Sequence, residues 1–390
     1  MKIIFLIHHE KSLGYSMSRY VEFLSRGLQK KGHKTEIWAP KLYLSKLEQS
    51  FFLNKWLRYI DQFLLFPIEF KVKSYKIPKS TLFVLIDQAL SIWMPLIKNK
   101  KHVVHCHDFI ALKAAKGIIK ENPTGWTGKM YQFLILTGLK KANNYISISK
   151  NTALELEDFL EEKPMLSEQI YNALNSKFVP GDVPETRRTL GNTLQLDLTQ
   201  GYILHVGGDT FYKNKKGVVA VYNAWRSFAS QPLPLLLVGG TKQSATLQNL
   251  IANSPYVENI HILENVEEQF LLKAYQGATV MLYPSLYEGF GWPIAEALAS
   301  GCPVITTDTA PMNEVGGDAA FYVKRSDSFE NSQIWADTSA KVIDEIIGLN
   351  PEQRKAVVQA GLDQISIFHE KIILDQIEKV YERIIKNSNM

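Results

Sequence analysis

Two glutamates, a glycine turn and a proline fall together in Glu288-Gly289-Phe290-Gly291-Trp292-Pro293-Ile294-Ala295-Glu296 of this chain. These residue types suit a phosphate-bearing ligand. Glycines let a backbone approach a ligand closely. Pro293 suits the opening of a helix, where its missing N–H is not needed. The free N–H groups of Phe290 to Ala295 and the helix dipole then favour an anion such as a pyrophosphate. Glu296, about a turn into the helix, can accept two hydrogen bonds from vicinal ribose hydroxyls. Glu288, ahead of the turn, can accept from the hydroxyls of a second sugar. A plain strand-to-helix turn would use the same glycines; the flanking carboxylates turn the reading toward a sugar nucleotide.

Other residues offer complementary chemistry. Lys213, in Gly207-Gly208-Asp209-Thr210-Phe211-Tyr212-Lys213-Asn214, follows an apolar run and can neutralise phosphate from a βα loop. Lys215 and Lys216 adjoin it and are alternatives. His107, in His105-Cys106-His107-Asp108, ends another apolar run and is either a site residue or a structural hydrogen-bonder. The sequence contains no Asp-x-Asp pair and no His-x-x-x-His, so neither a metal nor another cofactor is expected.

Parallel sheets would position these groups. Apolar runs Ala278–Tyr283 and Pro303–Thr306 bracket the glutamate segment, giving strand, turn, helix and strand, with the turn at the sheet's carboxyl edge. The amino terminus has the same grammar. A buried first strand, Lys2–Ile7, precedes a helix with Met17, Tyr20, Val21, Leu24 and Leu28 at helical spacing, a stop at Gly32, and a strand at Thr35–Trp38. Val103–Asp108, Tyr145–Ser149 and Ile170–Ala173 read as further strands, with Ser149 capping a helix over Thr152–Leu160. Residues 176–200, rich in proline, glycine and charge, read as a linker. Strands at Tyr202–Val206, Leu233–Val238, Ile260–Leu263 and Phe321–Val323 follow it, then helices ending in Glu370–Lys386. The expected fold is α/β, with two doubly wound Rossmann-like domains, 1–178 and 179–368, facing across a cleft.

Composition agrees with this. A chain of 390 residues exceeds one core, and 46% hydrophobic with 21% charged residues is ordinary for a soluble protein. A net charge of +5 without an arginine-rich tract gives no sign of nucleic acid. Two cysteines, Cys106 and Cys302, each in an apolar setting, point to a reducing, cytoplasmic compartment. The apolar run Ser80–Ile97 is broken by Asp87-Gln88 and does not read as a membrane span. In residues 51–79, Phe51, Trp56, Phe63, Phe66 and Phe70 are interleaved with Lys55, Arg58, Lys71 and Lys76. Two readings stay open: core with a solvated basic face, or peripheral contact with the inner face of an anionic membrane.

The chain resembles the retaining glycosyltransferases of the GT-B fold, family four, with their Glu-x7-Glu signature at Glu288 to Glu296. Tyr283-Pro284-Ser285, Val206-Gly207-Gly208 with Lys213-Asn214, His105-Cys106-His107-Asp108, Ser147-Ile148-Ser149 and Ile170-Tyr171-Asn172 are also similar. The resemblance implies that Glu288 contacts the donor sugar, Glu296 holds the ribose, and the backbone of Gly289, Phe290, Gly291 and Trp292 meets the diphosphate with Lys213. It places His107 near the reacting carbon, Val266 near the donor base and sugar, and Gly14 and Gly208 in the phosphate loops. It makes 1–178 the acceptor-binding domain and 179–368 the nucleotide-sugar domain, with helix 369–390 packing back on the first. The sequence departs from the family where Gly208-Asp209 replace a frequent arginine and where Gly14 stands alone instead of in a glycine pair. The implied reaction is metal-independent hexosyl transfer from a nucleoside-diphosphate sugar to a glycan, polysaccharide or lipid-linked acceptor. A sugar-nucleotide epimerase or a non-catalytic nucleotide-sugar-binding partner subunit are the alternatives. A nicotinamide dehydrogenase fits least, because no Gly-x-Gly-x-x-Gly follows the first strand.

Overall fold

A computed structural model describes residues 1–9, 14–41, 43, 57–241, 243–326 and 332–387. Its strands are β1 (Lys2–Leu6), β2 (Lys34–Trp38), β3 (Leu82–Leu85), β4 (His102–Cys106), β5 (Asn144–Ser147), β6 (Leu166–Gln169), β7 (Ile203–Val206), β8 (Leu235–Val238), β9 (Ile260–Leu263), β10 (Val280–Tyr283), β11 (Val304–Thr307) and β12 (Phe321–Val323). They form two six-stranded sheets, ordered β2-β1-β3-β4-β5-β6 and β12-β11-β10-β7-β8-β9. The pairings are parallel. Helices cover both faces, so central strands such as Ile3–Leu6, Leu82–Leu85 and Leu235–Val238 are continuous apolar runs without alternation. These are two doubly wound, Rossmann-like α/β halves.

The chain divides into one unit of Met1–Tyr171 with Lys371–Met390, and another of Asn172–Glu370. In the first unit the helix Tyr15–Lys30 buries Tyr20, Val21, Leu24 and Leu28 and ends where Gly32 takes φ +87°. The last helix, Glu370–Asn387, buries Ile373, Ile377, Val380, Tyr381 and Ile384 in the same unit. Polar contacts fasten it there: Lys31 Nζ reaches Asp375 at 2.5 Å and Glu378 at 2.6 Å. At the centre, the buried His105 imidazole lies between Tyr20 Oη at 2.5 Å and Tyr381 Oη at 2.9 Å.

The structure differs from the sequence expectation in three places. The segment 176–200 is not a bare linker: Val183–Leu194 is a helix. Asp182 Oδ1 caps it by accepting from Glu185 N at 3.0 Å, and Pro184 stands in its first turn. Its buried face is small, chiefly Thr186, Leu190 and Gly191, which hid the helical period. The last strand of the first sheet is Leu166–Gln169, not Ile170–Ala173. It is an edge strand with Ser167 exposed and Leu166, Glu168 and Gln169 half-buried. Residues 172–178 belong to the second unit, where Leu174 N donates to Phe368 O at 2.8 Å.

Of the stretch 51–79, residues 51–56 lie outside the described residues. The remainder forms a π-turn, Asp61–Leu65, running into the helix Phe66–Ser74. The run 80–97 becomes β3 and a 3-10 turn, Gln88–Trp93. Among the described residues, no helix is long and apolar enough to cross a membrane.

Candidate active site

The second sheet, renumbered from its own first strand, has the order 3-2-1-4-5-6. Its topological switch point lies between β7 and β10, where ligands of such sheets bind outside the carboxyl ends. Both chemically loaded loops start there. After β7, Gly207-Gly208 lead to a 3-10 turn, Phe211–Lys213, and Asn214 at φ +55° caps the helix Lys215–Arg226. After β10, Pro284-Ser285 lead to Glu288. The loops are tied by Asn214 Nδ2 donating to Pro284 O at 3.0 Å and Leu286 N donating to Tyr212 O at 2.7 Å.

This places Lys213 on Glu288. Lys213 Nζ donates to Glu288 Oε1 at 2.8 Å and Oε2 at 3.0 Å, and to Tyr283 Oη at 2.6 Å. Tyr283 Oη donates in turn to Glu288 Oε1 at 2.6 Å. Burial, with the Glu288 charge beside it, pushes the Tyr283 phenol well above its ordinary value, so it stays a donor. Ser285 Oγ lies 2.7 Å from both Glu288 Oε1 and the Tyr212 carbonyl, and its one proton can serve either. The carboxylate is 8% exposed and the lysine side chain 17%. All three ammonium protons therefore have acceptors, in a pair held by neighbours on both loops.

The helix after the glycine turn runs Trp292–Ala299, with Gly291 before it at φ +95° and no side chain capping its first turn. Gly291 needs that left-handed conformation, which a side chain would strain. Phe290 is buried with its ring edge on Phe368, centroids 5.2 Å apart, so only its backbone is available to a ligand. Glu296 is buried and accepts from Tyr275 Oη at 3.0 Å. Around Gly208 a Cβ would meet nothing within 4 Å, leaving open space at the end of β7. Val266 is partly buried in the loop after β9, next to Asn265, whose N–H donates to Gly240 O at 3.3 Å.

In the first unit, His107 follows β4 and is partly buried. Its Nε2–H donates to Ile86 O at 2.8 Å and its backbone N–H to Gln88 Oε1 at 2.8 Å. Burial lowers its basicity despite the neighbouring Asp87 carboxylate, so it is a neutral imidazole with Nδ1 as acceptor. Asp87 also accepts from His8 Nε2 at 3.2 Å. Gly14 precedes the helix Tyr15–Lys30, with open space where a Cβ would stand. Among the described residues, no three His, Cys, Asp or Glu side chains are grouped as metal ligands would be.

Residues 200–345 match the family model described as glycosyl transferases group 1. The chain is 27% identical over 264 residues to the O-antigen chain mannosyltransferase RfbU of Salmonella typhimurium, across 64% of this chain and 69% of that one. It is 33% identical over 129 residues to O-antigen chain mannosyltransferase B of Escherichia coli, across 33% of this chain and 34% of that one. Sucrose-phosphate synthase from Thermosynechococcus elongatus superposes with a TM-score of 0.74 at 18% identity, across 99% of each chain. The fold is GT-B. Family model and relatives together support a glycosyltransferase built on that fold.

Within this GT-B chain, sequence reasoning left several neighbours of the site without a role. Tyr283 and Ser285 enter the sequence reading only within the family-like segment Tyr283-Pro284-Ser285, with no role attached to either side chain. His205, buried in β7, stacks on Tyr283 with centroids 5.8 Å apart. Lys215, which the sequence offers beside Lys216 as an alternative to Lys213 for phosphate, is committed elsewhere. It is buried, with Nζ donating to Gly239 O at 3.0 Å and Gln243 Oε1 at 3.1 Å. Gln243 donates onward to Glu264 Oε1 at 3.1 Å. Lys215 thus braces the Gly239-Gly240 turn, both residues of which have positive φ.

Burial lowers the Lys215 pKa to about 8 against its ordinary 10.5, with Asp209 and Glu264 pulling the other way. The unfolded chain keeps this proton to higher pH than the folded one, so this group's contribution to stability rises between those two values. Urea unfolding of wild type and Lys215→Met from pH 7.5 to 9.5 should show the wild type gaining on the variant above pH 8. A constant difference would contradict this.

Proposed function

We propose that this chain transfers a hexosyl group from a nucleoside-diphosphate sugar to a glycan, polysaccharide or lipid-linked acceptor, with retention at the anomeric carbon and no metal. The names of the sequence relatives favour a mannosyl donor. The observation that carries the proposal is the Lys213–Glu288 pair at the switch point of the second sheet. A diphosphate there meets an ammonium and the N–H groups opening the Trp292–Ala299 helix, which oppose the charge that develops as the sugar leaves. Because every proton of Lys213 already has an acceptor, donor binding must exchange at least one. We assign that exchange to Glu288, which then accepts from sugar hydroxyls while Lys213 turns to phosphate. Glu296 holds the ribose hydroxyls, with Tyr275 fixing its carboxylate. His107 of the first unit is assigned contact with the transferred sugar through its neutral ring. Gly14, Gly208 and Val266 are assigned to the donor's surroundings. Retention is assigned to front-face attack: the acceptor oxygen bonds to the anomeric carbon as the carbon–oxygen bond to the diphosphate breaks. The acceptor's proton passes to the leaving phosphate oxygen.

The test is nucleotide release from a panel of uridine and guanosine diphosphate sugars, with and without acceptors and with EDTA present. Acceptor-dependent release that EDTA leaves unchanged is expected. Conversion of donor without any acceptor would point instead to an epimerase, and binding without turnover to a silent subunit.

A further inference from the structure

Two neighbouring helices of the first unit leave apolar rows in solvent. In the Asp61–Leu65 turn and the Phe66–Ser74 helix, Leu64 is 57% exposed, Ile68 55% and Val72 72%, at helical spacing. On the helix Trp126–Leu139, Trp126 is 74% exposed and Phe133 62%. Single exposed apolar residues are ordinary, but rows on adjoining elements make a patch. The elements do adjoin. The Tyr131 ring lies 6.0 Å from Phe63 and 5.9 Å from Tyr59, and Gln62 Nε2 donates to Tyr131 Oη at 3.1 Å. An open groove between them is lined by Tyr59, Phe63, Trp126, Met130, Tyr131 and Leu134. The inward side already has its partners: Phe66 and Phe70 are buried, with Phe66 against Trp93 at 4.3 Å.

Charge selects the occupant. Residues 57–79 carry Arg58, Lys71, Lys73, Lys76 and Lys79 against two carboxylates, Asp61 and Glu69. Asp61 is buried, and Glu69 is held by Lys73 at 2.6 Å. Residues 126–139 carry Lys129 and no carboxylate. A second copy seated through this same face would set lysines against lysines. An anionic bilayer takes both features, its headgroups meeting the cations and its acyl boundary the apolar rows.

We infer that this two-helix face docks the protein peripherally on an anionic lipid bilayer. The inference goes beyond the transfer reaction and does not depend on it, since its test reads binding alone. The full chain is sedimented with vesicles of phosphatidylcholine and with vesicles containing about one-third phosphatidylglycerol, at low and high salt. Binding to the anionic vesicles only, weakened by salt, is expected. Replacing Lys71, Lys76 and Lys79 by Gln should weaken it on the order of 100-fold, about fivefold for each lysine. Leu64→Ser with Val72→Ser and Phe133→Ser should abolish it while the unfolding midpoint and circular dichroism stay those of wild type, because these positions are exposed. Equal binding to neutral vesicles, no binding at all, or a serine variant that binds like wild type would overturn the inference. So would a dimer that the serine variant dissolves, which would give the face to a second copy.

Discussion

Lys213→Ala and Glu288→Ala should each lower the turnover of sugar transfer by about 100- to 1000-fold, the effect of removing one preorganised group that answers charge in a transition state, about 3–4 kcal/mol. The two losses should not add. Lys213, Glu288, Tyr283 and Ser285 share one hydrogen-bond network, and removing either ionic partner leaves the other without its counter-charge at a largely buried site. The double variant should therefore be little slower than either single one. Lys216→Ala is the control, since Lys216 is exposed. Donor titrations of all four proteins separate KM from kcat. A role in donor binding alone would raise KM and spare kcat. Full activity in both single variants would remove these residues from the mechanism.

Acid should unfold the protein well before its carboxylates are all protonated. Burial lowers the pKa of both His105 and His205 to about 3, against an ordinary 6.5. His105 is enclosed by two tyrosine hydroxyls. His205 Nδ1–H donates to Leu282 O at 2.9 Å, while its Nε2 has no hydrogen-bond partner among the described residues. A proton added there would be a buried donor without an acceptor. As pH falls, the unfolded chain takes up these protons first. The stabilisation is complete above about pH 6.5 and is lost progressively toward pH 3. At about 1.4 kcal/mol per tenfold change in proton affinity, each histidine removes several kcal/mol by pH 3, against a typical total stability of about 5–15 kcal/mol. Thermal unfolding at steps from pH 7 to 4 should show a falling midpoint. His205→Asn, whose amide can still donate to Leu282 O, should reduce the slope. A midpoint constant across that range would contradict the assignment.

Most of the fold is legible in the sequence because parallel strands buried on both faces are continuous apolar runs. Leu235–Val238 and Val280–Tyr283 can hardly be anything else beside helical periods, whereas Leu82–Leu85 lies inside the longer apolar run 80–97, whose length hides where a strand would end. What escapes is the element with little to bury. Leu166–Gln169 is a polar edge strand, and Val183–Leu194 shows mainly its proline and charges. In the site, Glu288, the glycine turn and Glu296 can be found by local spacing. The pairing of Glu288 with a lysine 75 residues earlier cannot, since it exists only because the strand order sets β7 beside β10. Lys215 reads from the sequence as an alternative to Lys213 for phosphate, but its burial is legible too. With Val218, Val219 and Tyr222 it falls on the buried face of its helix at helical spacing, yet its charge argues for solvent. The segment 51–79 could be read as core or as membrane-facing. Where it is described, Phe66 and Phe70 are core and Leu64, Ile68 and Val72 are exposed, a division that depends on helical phase across a π-turn.

The most direct test of the central claim follows the anomeric carbon. Wild-type protein is given uridine or guanosine diphosphate hexoses with a glycan or lipid-linked acceptor, and the product is read by proton NMR alongside nucleotide release. The account predicts one new glycosidic bond per nucleotide released, with the configuration of the donor kept. Inverted product would contradict the mechanism, and donor turned over without a new bond to any acceptor would contradict the function.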